Sequence, residues 1–381
     1  MIYLDNAATT WPKPFLVQKA FAESLNRFGA NPGRGGHSMA MKTAEQIFEC
    51  REAVADLFGL NDPTKVVFTN NCTMSLNMVI KGILSDGGHA VVSDMEHNAV
   101  IRPLETMSRY GVSYTTATVC EDDPLRTVRN FKKVIRPDTK LLLCTHCSNV
   151  FGNTLPIREL GALAHRYGIL FAVDGAQSAG HIPLDMKRDQ IDFLCLPGHK
   201  GLYGPMGTGL LLCEGETVLQ TLIEGGTGTQ SLLKSQPAEL PERLESGTVN
   251  VPGICGLCAG VRWMKQQGVR NIEKYETSLL RYFYNLAANT KKIRLYTPFP
   301  SKENGASLLS LNLEGISGEE VASLLAKEGI AVRGGLHCAP AAHAHKGTLS
   351  TGTVRMSLSA FNTKKDVENL HKILVKILRK P

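Results

Sequence analysis

Leu196-Pro-Gly-His-Lys-Gly-Leu-Tyr-Gly-Pro-Met-Gly-Thr-Gly209 sets a lysine beside a histidine in a turn with five glycines and two prolines. It follows directly on the apolar run Ile191-Asp-Phe-Leu-Cys-Leu196. An ammonium group at the end of a buried strand is unfavourable unless it is paired or gives up its proton. A lysine without its proton is a nucleophile, and its usual employment is a Schiff base with a carbonyl. Lys200 is therefore the first candidate catalytic residue.

On both sides of this turn, short apolar strands alternate with helical patterns, the signature of an α/β fold with a mostly parallel sheet. Strands are expected at Val66–Thr69, Ala90–Ser93, Ser113–Thr118, Leu141–Thr145, Leu170–Val173, Phe193–Leu196 and Gly209–Cys213. The spacing predicts helices between them, for example Met41–Phe58 with Gly59 as its C-cap. From about residue 290 the texture changes. Ser307–Leu313 and the alternation of Val354, Met356 and Leu358 with Arg355, Ser357 and Ser359 read as half-buried strands. Ser317-Gly-Glu-Glu320 reads as a capping box, and a last helix is expected from about Thr363 to Arg379. We expect a large domain at 15–265 and a small α+β domain, built from 1–14 and 266–381, whose sheet has one polar face.

A chain of 381 residues, 43% hydrophobic, buries a core large enough for two domains. A net charge of +7 with acids interspersed does not form the basic stripe that nucleic acid requires. Lys372–Lys380 reads as an ordinary helix with a solvated face. No apolar stretch approaches the ~20 residues that span a bilayer. No charged-then-apolar leader is seen, so a cytoplasmic location is expected. Cys144/Cys147 and Cys255/Cys258 have Cys-x-x-Cys spacing, but their apolar neighbours favour buried thiols over zinc. A disulfide framework is not expected in a reducing compartment.

Polar clusters sit just past the ends of the expected strands, where ligands bind in open α/β sheets. Asn70-Asn-Cys-Thr-Met-Ser75 opens a helix, which suits a phosphate but equally a simple N-cap by Asn71 or Thr73. Asp94-Met-Glu-His-Asn98, His146-Cys-Ser-Asn149 and Asp174-Gly-Ala-Gln177 follow three further strands. With Lys200 they supply the parts of a pyridoxal phosphate site: an amine, a carboxylate for the pyridine nitrogen, a flat ring and a donor to the phenolic oxygen.

The chain resembles the class V aminotransferase-fold enzymes, in the cysteine desulfurase branch of type II with its His-Cys loop. The matching stretches are Tyr3-Leu-Asp-Asn-Ala-Ala8, Arg34-Gly-Gly-His37, Glu96-His97, Thr145-His-Cys-Ser-Asn149, Asp174-Gly-Ala-Gln177, Gly198-His-Lys200, Glu245-Ser-Gly-Thr248, Val332–Ala339 and Arg355–Thr363. They occur in family order over nearly the whole chain. The resemblance implies a fold type I architecture, with a mostly parallel seven-stranded sheet and a small α+β domain. It implies that Lys200 bonds pyridoxal 5'-phosphate, that Asp174 pairs with its pyridine nitrogen and that His97 stacks on its ring. Gln177 and Asn149 would serve the phenolic oxygen side, and Thr73, Cys72 and His199 the phosphate. Thr248 would reach the phosphate from the second subunit of a homodimer. Arg355 would hold the substrate carboxylate, with Arg333 lining the site. Cys72 departs from the small hydroxyl residue that relatives often carry there, which puts one phosphate hydrogen bond in question.

Cys338, in Gly334-Gly-Leu-His-Cys-Ala-Pro340, separates the possible reactions. Transaminases of this fold need no thiol here, whereas a desulfurase needs a nucleophile to take sulfur, and His337 next door or a helix end would favour the thiolate. His337, Cys338, His343 and His345 could be read as metal ligands, but a catalytic thiol with solvated histidines is preferred. The expected reaction converts L-cysteine to L-alanine and leaves sulfur on Cys338 as a persulfide. The persulfide would pass to an acceptor protein, in iron–sulfur cluster assembly or another thiolation route. Selenocysteine lyase, acting on L-selenocysteine, and an aminotransferase or epimerase on the same fold are the alternatives. No metal, nucleic acid or membrane partner is expected.

Overall fold

The seven strands expected in the middle of the chain form one sheet. The computed structural model describes residues 1–379 apart from Arg34 and 302–306. Arg34 of the Arg34–His37 stretch and Lys380 thus lie outside the described residues.

The first part of the chain holds β1 (Ile2–Tyr3), α1 (Phe15–Arg27), α2 (Ser38–Phe58), β2 (Val66–Thr69), α3 (Cys72–Ile83), β3 (Gly88–Ser93), α4 (Asn98–Met107) and β4 (Val112–Ala117). Then come α5 (Pro124–Lys133), β5 (Thr139–Thr145), α6 (Ile157–Arg166), β6 (Leu170–Asp174), β7 (Phe193–Pro197), β8 (Gly209–Cys213) and α7 (Val251–Gln267). Strand order in the large sheet is β2-β8-β7-β6-β5-β3-β4, and only β8 runs against its neighbours. Strand residues alternate between two apolar layers. Leu142 and Cys144 face the layer that contains Leu160 and Leu257, while Leu141 and Leu143 face the one with Leu76 and Leu104. Both faces are covered, which is why these strands are apolar at consecutive positions. α2 begins three residues before the expected Met41, capped by the His37 ring on Ala40 N, and ends at Gly59 with φ +71°.

The remainder comprises α8 (Val269–Ala288), β9 (Ile293–Leu295), β10 (Leu308–Leu313), α9 (Gly318–Lys327), β11 (Ile330–Ala331), β12 (Arg333–Gly335), α10 (Pro340–His345), β13 (Thr353–Ser357) and α11 (Lys364–Leu378). An antiparallel sheet, β12-β13-β10-β9, packs with α8, α9 and α11 around its own apolar cluster, which Leu4 joins. β1 pairs in parallel with β11, so the N-terminal segment belongs spatially with this later part. β11 ends at Ala331 and β12 begins at Arg333, with Val332 between the two sheets. α11 carries a full capping box between Thr363 and Asp366, whereas at α9 only the Ser317 half, to Glu320 N, is present.

The polar face expected for this sheet is not solvated. Ser310, Asn312, Arg355 and Ser357 are all buried, because that face lies toward the large sheet's loops. Ser310 Oγ donates to Val150 O at 2.5 Å, and Arg355 Nη1 to Asn149 O at 2.8 Å. Among the described residues no helix is long and apolar enough to cross a membrane.

Candidate active site

Five loops leave the C-terminal ends of β2, β3, β5, β6 and β7 and converge on one cavity of about 230 Å³. Lys200 and Asp174 line it together with His97, Asn149 and Gln177. Cys72 and Thr73 enter from the first turn of α3, and His199, Arg333 and Arg355 complete the set expected from the sequence.

The turn holding Lys200 is fixed from the N-terminal segment. His199 O accepts from Thr9 Oγ1 (3.0 Å), Thr10 N (3.1 Å) and Lys13 Nζ (2.7 Å), and Lys200 O accepts from Thr10 Oγ1 (3.0 Å). Gly201 is required next, since a Cβ there would come within 2.1 Å of Ala179 O. Burial lowers the pKa of Lys200, Arg355 lowers it further, and Asp174 opposes them. A buried amine so placed is readily made nucleophilic and can carry a proton. Burial also lowers His199 to about 4 and Lys13 to about 7. Both cavity-lining histidines of these five loops are therefore biased towards neutral rings, since burial lowers His97 as well.

Asp174, at the end of β6, is 3% exposed and accepts from Ala176 N on Oδ1 at 2.9 Å. His97 Nδ1 caps α4 by accepting from Ala99 N at 3.0 Å, which fixes the ring's orientation. Asn149 Nδ2 donates to His337 O (2.7 Å) and Gln177 Nε2 to Ala7 O (3.1 Å). Arg355 is 2% exposed, with Nη2 on Asp5 Oδ1 at 2.9 Å and a buried Nε that has no partner. Asn71 caps α3 through Met74 N at 2.9 Å, so the capping reading holds while Cys72 and Thr73 still face the cavity. The Cys72 side chain has an acceptor within the protein, its Sγ lying 3.4 Å from Asp174 Oδ1.

Two expected residues are not in this cavity. Thr248 is exposed and lies elsewhere, accepting from Asn31 Nδ2 at 3.3 Å. Cys338 is exposed beside it, in a loop tied to the large sheet by Asn98 N→Cys338 O (2.7 Å). His345–Asp94 (2.8 Å) and Lys346–Glu121 (2.5 Å) hold the following helix to the same side. His337 and Cys338 both adopt left-handed backbone, with φ +51° and +58°. Burial, then Arg355, lowers the pKa of His337 to about 3, so the ring brings no positive charge to the neighbouring thiol, and it is buried where a solvated histidine was expected. Nor is His343 solvated. It is fully buried, with its ring stacked 5.8 Å from that of His337. Among the described residues no group of three histidine, cysteine or acidic side chains is placed to hold a metal.

Sequence reasoning missed Asp5, Lys13 and the role of Glu96. Glu96 is fully buried, accepts from Thr145 N at 3.0 and 3.1 Å and from Ser93 Oγ, and burial raises its pKa to about 8. Asp5 and Glu96 both lay in stretches noted above, but their partners are distant in sequence.

Residues 2–370 match the aminotransferase class V family. A cysteine desulfurase of Escherichia coli O157:H7 is 32% identical, over 97% of this chain and 91% of that protein. The apo structure of a cysteine desulfurase from Thermococcus onnurineus superposes with a TM-score of 0.89 at 29% identity, covering 99% of this chain and 94% of that one. An Escherichia coli cysteine desulfurase in an S-sulfonic acid form gives 0.87 at 30% identity, with the same coverage.

Proposed function

Because this chain belongs to the aminotransferase class V family, we propose that it is a pyridoxal phosphate-dependent cysteine desulfurase. The observation that carries the reading is the meeting of Lys200, Asp174 and Arg355 in one cavity. A depressed amine, a buried carboxylate and a buried guanidinium are what an amino-acid substrate and this cofactor need together.

The residues present fit the cofactor by the chemistry of their donors. Lys200 would bond it, Asp174 would pair with its ring nitrogen, and the ring of His97 would lie against its face. The α3 N-terminus with Thr73, together with His199, suits its phosphate, since exposed backbone amides and a neutral ring both donate. Gln177 and Asn149 would stand on the phenolic oxygen side. We propose a homodimer in which Thr248 of a second copy completes the phosphate site, since Thr248 lies outside this chain's own cavity. The unit formed by 1–14 and 266–381 would carry the Cys338 loop.

When bound, pyridoxal phosphate withdraws electrons from the substrate's α-carbon. Arg355 binds the substrate carboxylate in a bidentate fork, which requires it to share or release Asp5. Lys200 Nζ takes the α-proton and returns it. Cys338 Sγ forms a bond to the substrate sulfur as the carbon–sulfur bond breaks. The balance is L-cysteine plus Cys338 thiol giving L-alanine plus Cys338 persulfide, with no outside oxidant. The persulfide is then available to a sulfur-acceptor protein.

Selenocysteine lyase is the second reading, and the exposure of Cys338 outside the cavity lining favours keeping it. The deciding experiment measures alanine release from L-cysteine with a reductant, and from L-selenocysteine, by wild type and Cys338→Ala. Alanine from L-cysteine by wild type and almost none by the variant supports the desulfurase. Equal turnover of L-selenocysteine by both proteins, with no activity on L-cysteine, overturns it in favour of the lyase.

A further inference from the structure

Cys72 is the first residue of α3, lines the cavity and is only 8% exposed. Its sulfur lies 3.4 Å from Asp174 Oδ1, within reach of a hydrogen bond from S–H. Burial, then the adjacent Asp174 charge, pushes its pKa well above the usual thiol range, so the sulfur keeps its proton and is the donor. The carboxylate takes both of its described hydrogen bonds on Oδ1, one from this thiol and one from Ala176 N at 2.9 Å. Two donors from separate elements, the α3 N-terminus and the loop after β6, thus converge on one oxygen. The carboxylate cannot turn about its terminal bond without breaking both.

We infer that Cys72 is a positioning residue for the cofactor: its thiol proton, with Ala176 N–H, holds the Asp174 carboxylate so that Oδ2 is left to pair with the ring nitrogen. The inference rests on the assignment of Asp174 proposed above. A thiol suits this task because S–H is a weak donor. It orients the carboxylate and draws little of its charge away from the ring nitrogen. A hydroxyl would orient it too, but would compete more strongly for that charge.

The test uses the full chain with Cys72→Ala, Cys72→Ser and Asp174→Asn. Without cofactor, the infrared difference between wild type and Cys72→Ala isolates a single S–H stretching band. That band should lie at the lowered frequency of a hydrogen-bonded thiol, and Asp174→Asn should move it. With pyridoxal phosphate, Cys72→Ala should bind it roughly fivefold more weakly, the loss of one modest hydrogen bond. The pH midpoint of the bound cofactor's visible absorption should also shift, and Cys72→Ser should restore the affinity. A band at the free-thiol frequency, or wild-type affinity and midpoint in Cys72→Ala, overturns the inference. Failure of Cys72→Ser to restore the affinity reduces Cys72 to a space-filling role and overturns the inference as well. Cofactor binding unchanged in Asp174→Asn would instead remove the assignment beneath it, and the inference with it.

Discussion

Arg355 and Asp5 form a 2.9 Å ion pair across 350 positions of sequence, with Arg355 almost wholly out of solvent. Burying a guanidinium is expensive unless its donors are satisfied, yet Nε has no partner among the described residues. A substrate carboxylate would supply that acceptor. Arg355→Lys should therefore raise the KM for L-cysteine by roughly ten- to a hundredfold, the loss of a charge-assisted fork, with a smaller effect on kcat. Steady-state alanine formation checks this, and an unchanged KM would detach Arg355 from substrate.

The backbone of Cys338 sits in the left-handed region, where a side chain strains against its own carbonyl. Cys338→Gly should unfold at higher denaturant than Cys338→Ala, by about 1 kcal/mol. Both should lack desulfurase activity. Urea titration of the two variants decides whether the loop holds its nucleophile against a backbone preference.

Glu96 connects stability to pH. Burial raises its native pKa to about 8, above the ordinary 4.5 of a glutamate, so the folded protein keeps a proton that the unfolded chain has lost. Its stabilisation is complete below about pH 4.5 and is lost as pH rises through 8, at about 1.4 kcal/mol per unit between. Glu96→Gln, which carries no such proton, should lose less stability than wild type between pH 5 and 8. Parallel slopes in denaturant titrations would mean that Glu96 is ionised in the native state.

His337 is neutral above about pH 3, so it does not titrate in the working range. His337→Gln is expected to change the rate of alanine formation without moving the acid limb of the pH–rate profile. A displaced limb would show that the ring exchanges a proton during turnover.

Much of the architecture was legible in local pattern. Leu141–Cys144 reads as a strand because it is buried on both faces, and Lys200 reads as catalytic because a glycine-rich turn follows such a strand. The antiparallel course of β8 was not legible, since a strand's direction leaves no mark on its own residues. Nor was the burial of Ser310 and Arg355. Alternation marks a polar face, but not whether water or another sheet's loops will meet it. His337 was expected to be solvated, and its burial depends on groups brought near only by folding, Arg355 among them. The direction of the Cys72 thiol depends likewise on Asp174.

The ties from residues 3–13 to the Lys200 turn and to Arg355 have a consequence for synthesis. On the ribosome, Asp5 emerges about 350 residues before the arginine that neutralises it. Through most of translation Asp5 has no finished partner, whereas Thr9, Thr10 and Lys13 can brace the Lys200 turn once residue 200 has emerged. Completion of the Arg355 side of the cavity therefore waits for β13, and a chain truncated before Thr353 should leave Asp5 without its cation.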